Sequence, residues 1–177
     1  MFEIQAEFKT SPNIAVIKYW GKLDEDYIIP LNPSIGFTLN TDDLCTKTKV
    51  ILSTENKEDT LLLNNENFGI NKRLRRILDT FKSNHLDSLL EKIQKEKGIT
   101  LNKNQFQYFK IESVNDFPTA SGLASSASGL AAISVCLCHI FQNTFKYQFF
   151  LIQTQLSSFV YSFNSINHNF QLPFFMT

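Results

Sequence analysis

Two stretches of the chain combine residue types that could bind phosphate. The first, FPTASGLASSASG at residues 117–129, is almost entirely Ala, Ser and Gly, and it lies between a strand-like run and a long apolar helix. A helix that begins here presents unpaired backbone N–H groups and the positive end of its dipole, which together favour an anion such as a di- or triphosphate. Additional hydroxyl donors would come from Ser121, Ser125, Ser126 and Ser128.

Small residues have a second explanation. Gly122 and Gly129 could let the backbone approach a ligand, but Ala, Ser and Gly also simply permit close packing of a helix. The pattern alone leaves both interpretations open. The common nucleotide motifs G-x-x-x-x-G-K-[ST] and G-x-G-x-x-G are absent, so neither explains the segment.

The second stretch, SPNIAVIKYWGK at residues 11–22, contains Lys18, Lys22 and the only Trp of the chain. A lysine ammonium is a compact charge suited to phosphate oxygens, and neighbouring aromatic rings would exclude water and strengthen the ion pair. Gly21 would keep the approach open. The alternative is that both lysines extend from a strand end into solvent.

Both motifs resemble the GHMP kinase superfamily. The pattern P-x-x-x-G-L-x-S-S-A is similar to its phosphate-binding loop, and Ala124 stands where most kinases of the group have glycine. Together with SPNIAVIKYWGK, which matches without a gap, this resembles one branch, the diphosphomevalonate decarboxylases. PLNPSIGFTLN at residues 30–40 continues the resemblance.

The resemblance implies roles for individual residues. Asn13 would orient the substrate at the reacting centre, Lys18 would lie deeper as a cation near the reacting groups, and Arg73 would bind substrate. Ser126 would lie beside the transferring phosphate and a Mg²⁺ ion. The diphosphate end of the substrate would be bound by Tyr19, Trp20, Gly21 and Lys22. The triphosphate of ATP would be held by Ala120, Ser121, Gly122, Leu123, Ala124, Ser125 and Ser126.

The implied reaction is ATP-dependent decarboxylation of (R)-5-diphosphomevalonate to isopentenyl diphosphate, in the mevalonate pathway of isoprenoid and sterol biosynthesis. Phosphorylating the tertiary hydroxyl creates a good leaving group, whose departure draws the carboxylate electrons into a double bond. The family implies ATP and Mg²⁺ as cofactors and a homodimer as its usual assembly. A GHMP small-molecule kinase such as mevalonate kinase is the alternative enzyme, which YWGK and Ala124 disfavour.

The resemblance covers about residues 2–159, the N-terminal half of a complete enzyme. Neither the expected G-S-G-S-A-C-R motif, whose arginine binds the substrate carboxylate, nor the later general-base aspartate occurs. These absences favour a further alternative, a non-catalytic phosphate-binding fragment. We expect residues 1–159 to form the ATP- and substrate-binding domain, without the smaller C-terminal domain.

Residues 160–177 match nothing in the family and consist mainly of residues encoded by AT-rich codons. We interpret them as translated intron or frame-shifted message. The alternative is a natural tail that closes a small domain.

Composition excludes several classes of protein. Seventeen basic residues balance seventeen acidic ones, so no overall field favours nucleic acid or a membrane surface. Three cysteines without a signal peptide indicate a reducing, cytosolic compartment. Cys136 and Cys138, two apart on a predicted helix, are interpreted as buried thiols rather than metal ligands. His139 is interpreted as a packed imidazole.

Apolar periodicity predicts the elements that must position these residues. We expect strands over 2–8, 14–20, 35–40, 47–53, 60–63 and 105–115, a loop over 21–33 and a turn at Asn64-Asn65. Two amphipathic helices are predicted between Asn71 and Gly98, meeting near Ser83-Asn84, and a third over 123–141. Lys72, Arg75 and Arg76, beside Arg73, are interpreted as a solvated basic face. The order of elements predicts an α+β fold, and the resemblance implies the ribosomal protein S5 domain 2-like type.

Overall fold

The computed structural model describes residues 1–18, 20–24, 29–118 and 125–141. Among the described residues, eight strands precede the first long helix, and one strand lies between it and the second. The elements in chain order are β1 (Glu3–Thr10), β2 (Asn13–Ile17), β3 (Lys22–Asp24), β4 (Ile29–Pro30), β5 (Ile35–Thr38), β6 (Thr46–Ser53), β7 (Thr60–Leu63), β8 (Glu66–Asn67), α1 (Lys72–Lys97), β9 (Phe109–Asn115) and α2 (Ser125–Ile140).

A mixed sheet with the order β1-β6-β9-β7-β8 forms the body of the fold. β6 pairs antiparallel with both β1 and β9, so that Val50 lies opposite Ala6 on one side and Ile111 on the other. β7 runs parallel to β9 and pairs antiparallel with β8. Side chains alternate along these strands, and the face with Ala6, Val50 and Ile111 is buried. Charged pairs such as Lys47 with Glu7 lie on the other face.

Both helices contribute to one core over the buried face of the sheet. α2 packs on β1 and β6 and is buried on nearly all sides, because its residues also meet α1. The core includes Leu52, Leu78, Phe106, Phe109, Ile111 and Leu137. Helices on one face of a mixed sheet give the predicted α+β class. In the described part of the chain, neither helix has the length and hydropathy that crossing a membrane requires.

The prediction of two helices between Asn71 and Gly98 is wrong, because α1 is one helix of 26 residues. The half-buried His85 continues the packed face of the helix across the predicted break, because its ring lies against the stacked rings of Phe81 and Phe141. Ser83 does not interrupt the helix, since its hydroxyl faces outward and donates to the carbonyl of Thr80.

The predicted ends of α1 are correct. The side chain of Asn71 accepts from the Leu74 N–H at 2.9 Å, and Gly98 ends the helix with a φ of 67°.

Other predicted bounds shift for local reasons. β9 begins at Phe109 rather than residue 105, because a turn in which Phe106 N–H donates to the Asn102 carbonyl occupies the preceding residues. The predicted turn at Asn64-Asn65 is confirmed, with both residues at positive φ. The predicted loop over 21–33 contains the short antiparallel pair β3–β4. α2 begins at Ser125 among the described residues, and residues 123–124 of the predicted helix lie outside them.

Candidate functional site

The first turn of α2 is held at one end of the sheet by buried hydroxyl groups. The Thr10 hydroxyl, at the end of β1, donates to the Ser128 carbonyl at 2.7 Å. The Thr46 hydroxyl, at the start of β6, lies 2.6 Å from the Ser128 hydroxyl and donates to Oδ1 of Asn115 at 2.7 Å. Thr10, Thr46 and Ser128 are at most 8% exposed. This buried set fixes where the helix begins.

Ser125 and Ser126 are the first two residues of α2, and both are more exposed than the buried Ser128. Ser126 is exposed and Ser125 is half-buried. No acidic residue occupies the first turn, so no carboxylate competes with an external anion for the positive end of the helix. The arrangement suits phosphate oxygens, and the exposed Ser126 hydroxyl is an oxygen ligand of the kind that Mg²⁺ accepts.

One other prediction for this segment is wrong. The Ser128 hydroxyl is not available to an anion, because it is buried and bonded to Thr46 and to the Ser125 carbonyl. A Cβ atom at Gly129 would meet nothing within 4 Å, and a close approach of a ligand to Gly129 stays a prediction. The predicted phosphate ligands Ala120, Ser121, Gly122, Leu123 and Ala124 lie outside the described residues.

Asn13 opens β2, three residues beyond Thr10. Its Nδ2 donates to the Thr38 hydroxyl on β5 at 3.0 Å, and Gly36 leaves the space that its Oδ1 occupies. The preceding Pro12 is held to the end of the same strand pair, because its carbonyl accepts from the Leu39 N–H at 3.0 Å. Asn13 is therefore a fixed polar side chain rather than a loop residue.

Trp20, Gly21 and Lys22 lead from β2 into the β3–β4 pair. The Trp20 N–H donates to Oδ1 of Asn32 at 3.1 Å, and the Gly21 carbonyl accepts from the Leu31 N–H at 2.9 Å. The Trp20 side chain is 88% exposed, so in the described residues it does not exclude water from Lys22. Lys18 is also exposed, contrary to the expected deeper position, because β2 pairs only with β5 in the described part. Tyr19 lies outside the described residues.

Arg73 is exposed in the first turn of α1 and forms no hydrogen bond or ion pair with another described residue. Arg75, on the same turn, is exposed as expected for a solvated face, but it also has a specific partner. Arg75 binds the buried carboxylate of Asp59, and Lys82 binds the same oxygen. The first turn of α1 is thereby fixed beside the start of β7. The structure does not bring Arg73 into contact with Asn13, Lys22 or Ser126.

The three cysteines are free, buried thiols. Burial raises the pKa of Cys136 to about 12 and that of Cys138 to about 11. The pKa of Cys45 is also raised, by burial and then by the nearby Asp116. Thiols of this kind are poor ligands and poor nucleophiles. No group of three or more His, Cys, Asp or Glu side chains that could hold a metal occurs within the described ranges.

The exposed His139 packs its ring edge-on against Phe8, which agrees with a packed imidazole.

Sequence reasoning missed Gly36, Thr10, Thr46 and Asn115. Their roles depend on strand register, which joins positions up to 118 residues apart. Of these four residues, Gly36 had a usable sequence signal, because a glycine inside a strand pattern often marks a close approach of another group to the backbone.

The fold and the site together define a GHMP-type domain, which is also the fold of its structural neighbours. Residues 10–158 match the family described as diphosphomevalonate decarboxylase-like N-terminal domain, and the chain belongs to that family.

Individual relatives agree with this assignment. A diphosphomevalonate decarboxylase of Schizosaccharomyces pombe is 43% identical over 131 residues, which are 73% of this chain and 32% of the relative. An X-ray structure of mevalonate 5-diphosphate decarboxylase superimposes with a TM-score of 0.67 at 34% identity, over 87% of this chain and 39% of that one. The structure of MDDEF in complex with MVAPP, AMPPCP and magnesium superimposes with a TM-score of 0.59 at 30% identity. The match covers 87% of this chain and 42% of that one.

The chain thus spans about a third of the length of the curated relative from S. pombe. The alternative of a kinase such as mevalonate kinase is not favoured, because the matched relatives are named decarboxylases.

Proposed function

We propose that this chain provides the ATP- and substrate-binding part of a diphosphomevalonate decarboxylase, which converts (R)-5-diphosphomevalonate to isopentenyl diphosphate. One observation carries the proposal. The first turn of α2, with its exposed Ser126, and the strand that begins with Asn13 start from the same end of the sheet, joined through Ser128 and Thr10. A phosphate donor at α2 would therefore lie beside a substrate oriented by Asn13.

Each proposed residue has a limited task. The backbone N–H groups of the α2 first turn, with the loop at residues 120–124, would bind the triphosphate. Ser126 would hold Mg²⁺ beside the phosphate that is transferred. Asn13 would orient the tertiary hydroxyl and Lys18 would add positive charge near it. When bound, ATP supplies the phosphoryl group that makes this hydroxyl a leaving group.

The diphosphate end of the substrate would be bound at the other end of β2. Gly21 keeps its carbonyl turned into the β3–β4 hairpin, and Lys22 is exposed next to it. An exposed ammonium is a compact charge that is well suited to phosphate oxygens. Tyr19, Trp20 and Arg73 complete the proposed substrate set. The ligands present in the MDDEF complex, MVAPP with an ATP analogue and magnesium, support this assignment.

Calorimetric titration of the folded chain tests the proposal directly. We expect heat of binding with Mg-ATP and with 5-diphosphomevalonate, weakened in Ser126→Ala for the first ligand and in Lys22→Ala for the second. Absence of heat for both ligands on a demonstrably folded sample would overturn the proposal.

Turnover is tested in a chimera that joins residues 1–158 to the remainder of the S. pombe relative. We expect Lys22→Ala to raise KM for the diphosphate substrate and Ser126→Ala to lower kcat, because the first binds the ground state and the second the transferring phosphate. Equal losses of kcat would refute this division. Release of CO₂ distinguishes a decarboxylase from a simple kinase, which releases none.

We also propose that the family domain ends near residue 159 and that residues 160–177 lie outside it. The family match ends at residue 158, which supports this boundary. Sequencing the transcript across codon 159 tests it. A spliced message that continues into the family motif G-S-G-S-A-C-R is expected, and a message read unspliced through codon 177 would contradict it.

A cytosolic, reducing location is proposed as well, supported by the three free thiols. The homodimer that the family resemblance implies stays a prediction, which sedimentation analysis tests.

A further inference from the structure

We infer that Thr46 and Ser128 form the positioning device of the site, which sets the first turn of α2 relative to the Asn13 strand. The Ser128 residue is the common point of two contacts. Its carbonyl accepts from Thr10, which precedes Asn13 by three residues, and its hydroxyl meets Thr46. Any shift of α2 along the sheet must therefore break a buried hydrogen bond.

The direction of each hydrogen bond follows from the number of protons. The Thr46 hydroxyl has one proton, which it donates to Oδ1 of Asn115. The oxygen of Thr46 must then accept from the Ser128 hydroxyl, at 2.6 Å. The carbonyl of Ser125 lies 3.1 Å from the same Ser128 hydroxyl and is a second, longer acceptor. The chain of donors runs from α2 through Thr46 to the end of β9, with one orientation only.

Burial makes this chain of hydrogen bonds stiff. Thr46 is 0% and Ser128 is 3% exposed, so water does not compete for their hydroxyls. Removing one hydroxyl leaves the other partners buried without a bond, which costs more than the bond itself contributes. A small movement of the α2 first turn would reduce this cost. That turn contains Ser125 and Ser126, which are proposed to bind the nucleotide. Such a movement lowers ligand affinity even though no ligand contact has been removed.

Thr48 provides a matched control. It lies two residues further along β6, on the same face, and is also 0% exposed. Its hydroxyl pairs at 2.8 Å with the Ser113 hydroxyl on β9 and has no hydrogen bond to α2. Thr46→Val and Thr48→Val therefore make the same chemical change at equal burial, and only the first releases the helix start.

The effect on affinity rests on the proposed function, so the experiment has a second readout that does not. Hydrogen exchange of the amides in residues 129–132, whose N–H groups donate to the carbonyls of the first turn, is measured by mass spectrometry on the whole chain, together with calorimetry of Mg-ATP. We expect Thr46→Val to accelerate this exchange and to raise the Kd about tenfold. Thr46→Ser, which keeps the hydroxyl, restores both values, and Thr48→Val leaves both near those of the unchanged chain.

The outcomes separate the two hypotheses. If Thr46→Val and Thr48→Val accelerate exchange of residues 129–132 equally, or neither does, the positioning role is overturned. If the exchange contrast appears but the unchanged chain binds no Mg-ATP, the proposed function fails and the positioning role stands. Ser128→Ala removes the same hydrogen bond from the helix side and replaces Thr46→Val if that variant does not fold. It is expected to accelerate exchange, and an unchanged rate would overturn the role.

Discussion

A Cβ atom on residue 36 would lie only 2.2 Å from Oδ1 of Asn13. The same atom would be 3.2 Å from the carbonyl oxygen of Ile14, on the neighbouring strand. Real atoms do not approach as closely as the first distance, so Asn13 holds its present position only because residue 36 is glycine. Gly36 thus places a side chain that is itself proposed to orient the substrate.

Gly36→Ala is expected to weaken binding of 5-diphosphomevalonate while changing stability little. The new methyl group forces the Asn13 amide away and breaks its hydrogen bond to Thr38, at a cost of about 1 kcal/mol. The lost chain entropy of glycine in the unfolded state offsets about 0.4–1 kcal/mol of that cost. Calorimetry measures the affinity, and urea denaturation measures the free energy of unfolding.

Asn13→Ala supplies the control for this prediction. Once the amide is absent, the 2.2 Å clash is removed and only the 3.2 Å contact with the Ile14 carbonyl remains, so Gly36→Ala should cost little further affinity in the Asn13→Ala background. An equal loss in both backgrounds would show that Gly36 acts through some other contact.

The sequence predicted the elements better than it predicted how they join. Asn71 and Gly98 mark the ends of α1 by local chemistry; the first was predicted from the change in apolar period and the second from its residue type. The break near Ser83 was wrong because His85, a polar residue in the pattern, packs against the stacked rings of Phe81 and Phe141 in three dimensions.

The candidate site divides in the same way. Ser126 and Lys22 lie in recognisable motifs, whereas Thr46 acquires its role only when β6 brings it to Ser128, 82 residues away. No local pattern encodes that distance. The exposed position of Lys18 also depends on which strands cover β2, and sequence periodicity does not report it.

Asp59 is expected to be a principal stabilising residue of the described fold. Its side chain is 1% exposed; one oxygen binds Arg75 and Lys82, and the other accepts from the Phe109 N–H at 2.9 Å. Asp59→Asn removes the charge and leaves two cations without their partner, which typically costs about 3 kcal/mol for a buried pair. Urea denaturation measures the loss.

Asp87 is the comparison for Asp59, since it also pairs with a lysine, Lys103, but its side chain is 66% exposed. Exposed pairs contribute about 0.2–1 kcal/mol, so Asp87→Asn should change stability little. Equal losses in the two variants would contradict the assignment of Asp59.

Stability is expected to fall at alkaline pH through two thiols of α2. Burial raises the pKa of Cys136 to about 12 and of Cys138 to about 11, from an ordinary value near 9. Between these values the unfolded chain has lost protons that the folded chain retains, so the free energy of unfolding decreases as the pH rises. Each thiol contributes a slope of about 1.4 kcal/mol per pH unit in that window.

The measurement compares urea denaturation between pH 8 and 11 in the unchanged chain and in Cys136→Ala/Cys138→Ala. Lysines and tyrosines titrate in both proteins, so the difference between the two slopes isolates the thiols. Parallel pH profiles would contradict the prediction. At pH 8 and below both thiols are mostly protonated in either state, and the slopes should converge.

The β2–β5 pair turns its apolar side chains outward, which is the reverse of the usual arrangement. Ile14 lies opposite Phe37 and Ile17 opposite Ile35, and all four are at least 36% exposed. The polar Asn13 is half-buried on the other face. Among the described residues this is the densest group of exposed large apolar side chains, and contiguous apolar surface of this kind promotes association.

The chain is therefore expected to bind an apolar fluorescent dye and to associate as its concentration rises. Val16→Thr/Phe37→Thr should reduce dye fluorescence and association in sedimentation, because both side chains are more than 60% exposed. Threonine keeps the β-propensity of the strands, so the free energy of unfolding should change by no more than about 0.5 kcal/mol. Val114→Thr is the control, since Val114 is exposed on β9, away from this pair, and single exposed apolar residues are ordinary. If Val114→Thr lowers dye binding as much as the double variant does, the β2–β5 face is not the surface responsible.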